Sequence, residues 1–494
     1  MRTCSSPRWA LLAAALPFYA AGCAVAIGPG YTIEKQAIRV EFADTPEPRI
    51  RIAATYQLKN TGKRPLLELE LRLPGRRFAS NELQATWDGA ALPLAPSPGS
   101  PRNAILTFKE PWNISSRHTL LLTRELSPGG GSEAALNFSP DAFFLPASGW
   151  STDLLPPEGL FATGGVPPKK WNLAVIVPDG FRIHTSGTKK KSERKNGAPV
   201  FVAEQGKKDP YPFVIAGRYH PSEIGAGKEK VHLWTSRPQE SGRLRDASSA
   251  LERVIAAYDA AFGERAKTSS QTWIVECPVA AGCFTSLNPL RAKLLGQEEN
   301  ERTTAEMISN DTMMVDLTAG TPTLAAAAAP SLAASWLGYA QNPGFYEQRP
   351  PLSMFSAFAA AIGREAARGG DSRSETIRRA LQLIPAMDTA TQNAKPPREE
   401  DPDVLRAKSF LFFYALQDRY GSETFRKATR HMLYARREHE FELSDLIAAF
   451  EQETHQNVAE FVRVWMKRPG VPEEFRSRYE RTAAAADTNT RSAP

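Results

Sequence analysis

Leu67-Glu68-Leu69-Glu70-Leu71-Arg72-Leu73 alternates leucine with a charged residue at every step. A period of two puts the leucines on one face of an extended strand and the charges on the other, whereas a helix would repeat its apolar face every three to four residues. Shorter β-like runs surround this one, at Ile50 to Leu58, His118 to Leu122, Trp171 to Val177 and Pro212 to Ala216. Turn signals such as Asn60-Thr61-Gly62 and Pro178-Asp179-Gly180 separate them. The stretch from about Tyr31 to Arg218 therefore reads as mostly β-sheet, and residues 31–228 as an N-terminal β domain.

The pattern changes near Gly242. Leu251, Val254, Ile255, Tyr258 and Phe262 recur at helical spacing, and Gly263 follows as a C-cap. Thr272-Trp273-Ile274-Val275 is strand-like. Beyond this strand the chain is mostly helical: Ser409 to Tyr420 is an apolar helix ending near Gly421, Ser444 is placed to N-cap another, and Val458, Phe461, Val462 and Trp465 mark the buried face of a third. Ala325 to Ala329, with Trp336, Phe355 and Phe358, read as helix packing. The fold class is thus α+β and multidomain, with a mainly α-helical domain over residues 242–478 and a disordered tail over 479–494. A chain of 494 residues is too long for one core.

With 42% hydrophobic and 23% charged residues the chain is ordinary for a globular protein. Its net charge of +7 is modest for this length and does not suggest a nucleic-acid partner. The densest basic run, Lys189-Lys190-Lys191-Ser192-Glu193-Arg194-Lys195, leads into Asn196-Gly197 and reads as a solvated hairpin tip.

Arg2 and Arg8 precede the apolar run Trp9 to Tyr19, and the small residues Ala20-Ala21-Gly22 follow, which is the layout of a signal peptide over residues 1–26. The run is short for a membrane span. The small residues stand directly before Cys23, as in a lipobox, with Ala20 where leucine is usual. Ala24-Val25-Ala26 offers a competing cleavage site that would discard Cys23. Either cut exports the chain, to the periplasm or the outer membrane, and the membrane is reached only through a lipid on Cys23. In an oxidising compartment Cys277 and Cys283 are a candidate disulfide.

Phe143-Phe144-Leu145-Pro146-Ala147-Ser148-Gly149-Trp150, then Trp171 to Gly180, then Pro212-Phe213-Val214-Ile215-Ala216-Gly217-Arg218-Tyr219 resemble the N-terminal β domain of aminopeptidase N-like gluzincins, the zinc aminopeptidases. Trp465-Met466-Lys467-Arg468-Pro469-Gly470-Val471-Pro472 resembles the close of that family's catalytic domain. The resemblance implies a mostly antiparallel β-sandwich or saddle followed by a thermolysin-like helical domain, and a zinc site with peptidase activity.

The family's H-E-L-A-H-x-W-x-G helix corresponds to Pro330-Ser331-Leu332-Ala333-Ala334-Ser335-Trp336-Leu337-Gly338. Two histidines at i and i+4 share a helix face and hold zinc, with the glutamate between them as general base on a zinc-bound water. Here those three positions are Pro330, Ala334 and Ser331. Pro330 would suit a helix start better than an interior. By the same resemblance the third ligand falls on Ser353 or Met354, the transition-state tyrosine on Arg406, and the amine-binding loop on Gly282-Cys283-Phe284-Thr285-Ser286, with Gly282 and Thr285 as its degenerate positions.

No histidine lies between residues 233 and 430. His431 and His439, eight apart on one helix, are separated by about 12 Å along its axis, too far for one ion bound at about 2 Å from each nitrogen. No G-x-S-x-G elbow, phosphate-binding loop or C-x-x-C pair is present. The expectation is a catalytically silent aminopeptidase-like protein without a cofactor, partnered by a peptide or an envelope protein. The alternative is an active zinc metallopeptidase whose ligands lie elsewhere in the chain.

Overall fold

The computed structural model describes residues 30–43, 47–72, 83–98, 103–126, 137–145, 152–156, 165–195, 198–206, 212–263, 271–277, 305–309, 311–317, 323–334, 336, 352–368, 377–378, 380–382, 384, 402–435, 443–467 and 470–479. The leader with Cys23, and residues 480–494 of the expected tail, lie outside the described residues.

The first half is built on an eight-stranded sheet. From one edge to the other run Thr188–Lys195, Ala198–Glu204, Trp171–Ile176, Tyr31–Ala43, Arg49–Asn60, Arg117–Leu126, Leu83–Trp87 and Ala90–Leu92. All neighbours are antiparallel except Tyr31–Ala43 with Trp171–Ile176. Ile50, Ile52, Ala54, Tyr56 and Leu58 sit at a period of two along one strand, and all are buried on the same face. Two four-stranded sheets cover that face. Leu66–Arg72, Asn103–Trp112, Leu94–Pro96 and Asp153–Leu154 close one part of the core. Ala142–Leu145, Val214–Gly217, Arg182–Thr185 and Asn137–Ser139 close the other. The opposite face carries exposed ion pairs such as Arg51–Glu125 at 3.0 Å and Arg117–Glu34 at 2.9 Å, each worth at most about 1 kcal/mol.

The alternating leucines behave as expected with one exception. Leu69 and Leu71 are buried, while Leu67 is 63% exposed. The pairing with Asn103–Trp112 is irregular between Leu66 and Glu68, Leu66 standing opposite Trp112 and Glu68 opposite Thr107, and this bulge breaks the alternation so that Leu66 is buried in place of Leu67. The basic run is also placed differently from its reading as a tip. It forms the edge strand Thr188–Lys195 itself, and lysines on an edge discourage pairing with another chain.

The second half holds a sheet that its sequence largely conceals. Strands His220–Ala226, Glu229–Thr235, Gln271–Glu276, Thr312–Val315 and Ala305–Met307 lie in that order, with two parallel pairs at the centre. His220–Ala226 belongs to this sheet, so the change of sheet falls near Arg218 rather than at 228. One face packs on helices and the other on the β half. Ile274, Met313 and Val315 join the helical core, whereas Val275, Cys277 and Met314 pack on Ala142, Phe144, Phe213 and Ile215.

Around this sheet stand α1 (Ser241–Phe262), α2 (Leu324–Ala334), α3 (Leu352–Arg368), α4 (Pro402–Tyr420), α5 (Ser422–Ala435), α6 (Leu443–Thr454) and α7 (Ala459–Lys467). In α1 the five apolar positions read from the sequence are all buried, and Gly263 closes the helix at φ 80°, its N–H donating to the Asp259 carbonyl at 2.9 Å. Each such side chain contributes roughly 1.5–3 kcal/mol. Helix α4 starts at Pro402, well before Ser409, because proline suits a first turn. Ser444 lies inside the first turn of α6 rather than capping it. Tyr479, expected to open the tail, ends a helical turn over 473–479 and packs tilted against Phe475 at 4.7 Å between ring centroids.

Where the β half meets the five-stranded sheet, Trp273 lies between two imidazoles, His184 at 4.2 Å and His232 at 4.3 Å, both nearly parallel to it. His184 Nε2 also meets the Thr312 hydroxyl at 2.8 Å. Burial lowers the His184 pKa to about 4, a shift that Asp311 opposes and His232 reinforces. In the unfolded chain the group titrates near 6.5, so between about pH 6.5 and 4 the unfolded state binds the extra proton. The stability that the neutral imidazole contributes is complete above pH 6.5 and is lost as the pH falls toward 4. Chemical denaturation across this window is predicted to show a fall of about 2–3 kcal/mol, and His184→Gln is predicted to flatten it.

Candidate functional site

Three neighbouring helices carry most of the positions that the resemblance assigns to the zinc site. Pro330, Ser331 and Ala334 are on α2, Met354 is in the first turn of α3, and Arg406 is in the first turns of α4. Helix α2 packs on α3, and α3 on α4. Pro330 is not at a helix start; it is the seventh of eleven residues in α2. It cannot donate to the Ala326 carbonyl one turn earlier, and α2 continues past it because the helix is held from outside. The Tyr258 hydroxyl donates to the Ala329 carbonyl at 2.8 Å, and the Trp336 indole N–H donates to the Gly263 carbonyl at 3.1 Å.

The floor beneath these positions is apolar and close-packed. Ala325 to Ala329, Leu332 and Ala333 are all buried. Phe262, Phe355, Phe358 and Phe413 form a ring cluster with neighbouring centroids 5.0 to 6.4 Å apart, and Tyr258 lies 5.1 Å from Trp336. Gly363 of α3 passes so near that a side chain there would meet the Tyr258 hydroxyl and stand 3.0 Å from Ala329 Cβ. Arg253 ties the end of α3 to α1 through the Ala366 and Ala367 carbonyls, at 3.2 and 3.3 Å.

The side chains at 330, 331 and 334 do not fit the zinc ion that the resemblance implies. Pro330 and Ala334 carry no donor atom, and Ser331, which is buried, offers a neutral hydroxyl where the family has a carboxylate base. Among the described residues no group of three or more His, Cys, Asp or Glu side chains is arranged to hold a metal ion. His431 Nδ1 lies 3.9 Å from Glu453 on α6, and His439 lies outside the described residues. So do Gly282, Thr285 and Cys283. Cys277 is buried and disulfide-bonded; its expected partner, Cys283, is among the residues not described. No described helix is long and apolar enough to cross a membrane.

Two buried carboxylates escaped the reading of the sequence. Glu276 and Asp316 close the neighbouring parallel strands Gln271–Glu276 and Thr312–Val315. Ligand sites of open α/β sheets favour these carboxyl ends. Glu276 shares the helix-facing side with Ile274 and accepts the Ser236 N–H. A lone Glu after an apolar run gives no signal that could have singled it out.

The whole architecture matches solved structures of one class, the M1 zinc metallopeptidases. An M1 zinc metallopeptidase from Deinococcus radiodurans superposes with a TM-score of 0.55 and 14% identity, over 90% of this chain and 95% of that one. A mutant form bound to a Tyr-Ser-Ala substrate gives a TM-score of 0.54 at 14% identity, over 90% of this chain and 96% of that one. Yeast LTA4 hydrolase in complex with bestatin gives 0.50 at 14% identity, over 90% of this chain and 68% of that chain. What is shared is the two-part fold, a sheet-rich N-terminal part and a helical C-terminal part. By sequence, no family model and no curated protein matches this chain.

Replacing Gly363 tests the packing that holds α2, because a methyl group at this position drives into Tyr258 and Ala329. Gly363→Ala is predicted to cost about 1–3 kcal/mol in urea denaturation. Gly225→Ala, where a new Cβ meets nothing within 4 Å, is predicted to be near neutral.

Proposed function

We propose that this protein is a catalytically silent relative of the zinc aminopeptidases, exported to the cell envelope and acting there as a peptide- or protein-binding module. The observation that carries the reading is a mismatch between scaffold and chemistry. The metallopeptidase fold extends over 90% of the chain, yet the segment corresponding to its zinc helix reads Pro330-Ser331-Leu332-Ala333-Ala334. Without two imidazoles there is no ion to lower the pKa of a water. Without the glutamate there is no base to take its proton.

Export rests on the leader, with Arg2, Arg8 and the run Trp9 to Tyr19, and lipid attachment on Cys23. For the retained binding role, Arg406 stands where the family has a tyrosine. A guanidinium there offers a fork of donors suited to a peptide carboxylate. Replacing the amine-binding carboxylate in the region of Gly282 and Thr285 shifts recognition away from a free amino group, so the fitting ligand is held by its carboxyl end.

Metal analysis of the purified mature protein, paired with an aminopeptidase assay on amino-acid amides, separates this proposal from an active zinc peptidase. Zinc well below one equivalent per chain and no hydrolysis above buffer are expected. About one equivalent of zinc, with hydrolysis lost on chelation, would establish the active enzyme instead. Peptide binding followed by fluorescence anisotropy is predicted to weaken about tenfold or more in Arg406→Ala, consistent with a charged hydrogen bond worth about 1.5–3 kcal/mol.

A further inference from the structure

The β half contains a second constellation, remote in sequence from the helices described above. Strands Leu83–Trp87 and Ala90–Leu92 are joined by Asp88-Gly89, both with positive φ, 50° and 85°. Asp88 tolerates this conformation because its backbone and one carboxylate oxygen are both held: its N–H donates to the Thr119 carbonyl at 2.9 Å, and Oδ1 accepts the Thr119 N–H at 2.8 Å. The second oxygen, Oδ2, is left to meet His118 Nδ1 at 2.6 Å. On the other side of the same imidazole, Nε2 lies 3.2 Å from the Ser116 hydroxyl.

We propose that Ser116, His118 and Asp88 form a nucleophile–base–positioning triad able to transfer the acyl group of a carboxylic ester. Three constraints fix the imidazole. The Asp88 carboxylate draws the proton to Nδ1, so Nε2 presents its lone pair to Ser116. Trp87 stacks on the ring at 4.8 Å with 19° between planes, and Trp112 meets it edge-on at 6.1 Å. Ser116 is held in the turn Asn113–Ser116 by its N–H on the Asn113 carbonyl at 3.2 Å. The hydroxyl proton has two acceptors in reach, that same carbonyl at 2.7 Å and the imidazole. His118 is 26% exposed at its side chain, so a substrate can approach from solvent. Ile114, 48% exposed and two residues from the nucleophile, offers an apolar contact for the acyl chain.

The step balances within these groups. Ser116 Oγ attacks the ester carbonyl while its proton passes to His118 Nε2. Collapse of the tetrahedral intermediate breaks the bond to the alcohol oxygen, which leaves with that proton. Water, activated by the same Nε2, then hydrolyses the acyl-serine and returns the hydroxyl. Asp88 touches no reacting atom; it is a positioning residue.

The test treats the full mature protein with a fluorophosphonate probe and with p-nitrophenyl acetate, and maps any adduct by mass spectrometry. A covalent adduct on Ser116 is expected, absent in Ser116→Ala. The labelling rate should be lowered about a hundredfold in His118→Gln, the lower end of general-base contributions. Asp88→Asn is expected to alter the pH profile of labelling, which a purely structural role in the turn would leave in place. Ser116→Cys keeps a nucleophile in the same turn, and its alkylation by iodoacetamide should depend on His118 to a similar degree. No adduct on Ser116, or adduct formation unchanged in His118→Gln, would overturn the proposal and leave the three groups as a surface clamp between two turns.

Discussion

The structure depends on a small sheet whose central strands are buried on both faces. Its central strands, Gln271–Glu276 and Thr312–Val315, run parallel, and each sends alternate side chains into different cores. Met313 and Val315 face the helices, and Met314 faces the β half. A strand in this position needs apolar residues at nearly every place, and the short run Thr312-Met313-Met314-Val315 supplies them. The helices are thereby fixed relative to the β half, since both pack on one rigid layer. The imidazole–indole–imidazole stack at His184, Trp273 and His232 lies in the same junction, which ties the cohesion of the two halves to pH.

On the helical side, α1, α2 and α3 are held together by hydrogen bonds to backbone carbonyls and by close packing. Tyr258 on the Ala329 carbonyl, Trp336 on the Gly263 carbonyl, Gly363 pressed against both Tyr258 and Ala329, and Arg253 on the end of α3 each hold one helix to another. These contacts use backbone carbonyls and small residues. The proline inside α2 removes one helical hydrogen bond, and the surrounding contacts accommodate it.

The two halves were unequally legible in the sequence, for physical reasons. The large sheet has one wet face, so its strands alternate and announce themselves, as Ile50 to Leu58 and Leu69 to Leu71 do. Helix α1 has one buried stripe and reads equally well. The five-stranded sheet has no wet face at its centre; Thr312–Val315 is four buried residues long and carries no period at all. The bulge that exposes Leu67 is set by pairing with a strand some forty positions away, which no local pattern contains. Pro330 misled because proline propensity is local, whereas the contacts that carry α2 through it come from α1 and α3. The positions that the resemblance assigns to the zinc site fall on the neighbouring helices α2, α3 and α4, while Glu276 and Asp316 emerged only when folding brought two strand ends side by side.

Installing zinc-binding side chains at the positions that the resemblance assigns tests the proposal that this chain keeps the fold without its zinc chemistry. The variant Pro330→His, Ser331→Glu, Ala334→His and Met354→Glu, titrated with zinc by calorimetry beside the unaltered protein, is predicted to take up about one ion per chain, while the unaltered protein takes up none at the same concentrations. Stoichiometric binding by the unaltered protein, or a folded variant that binds no zinc, would contradict it.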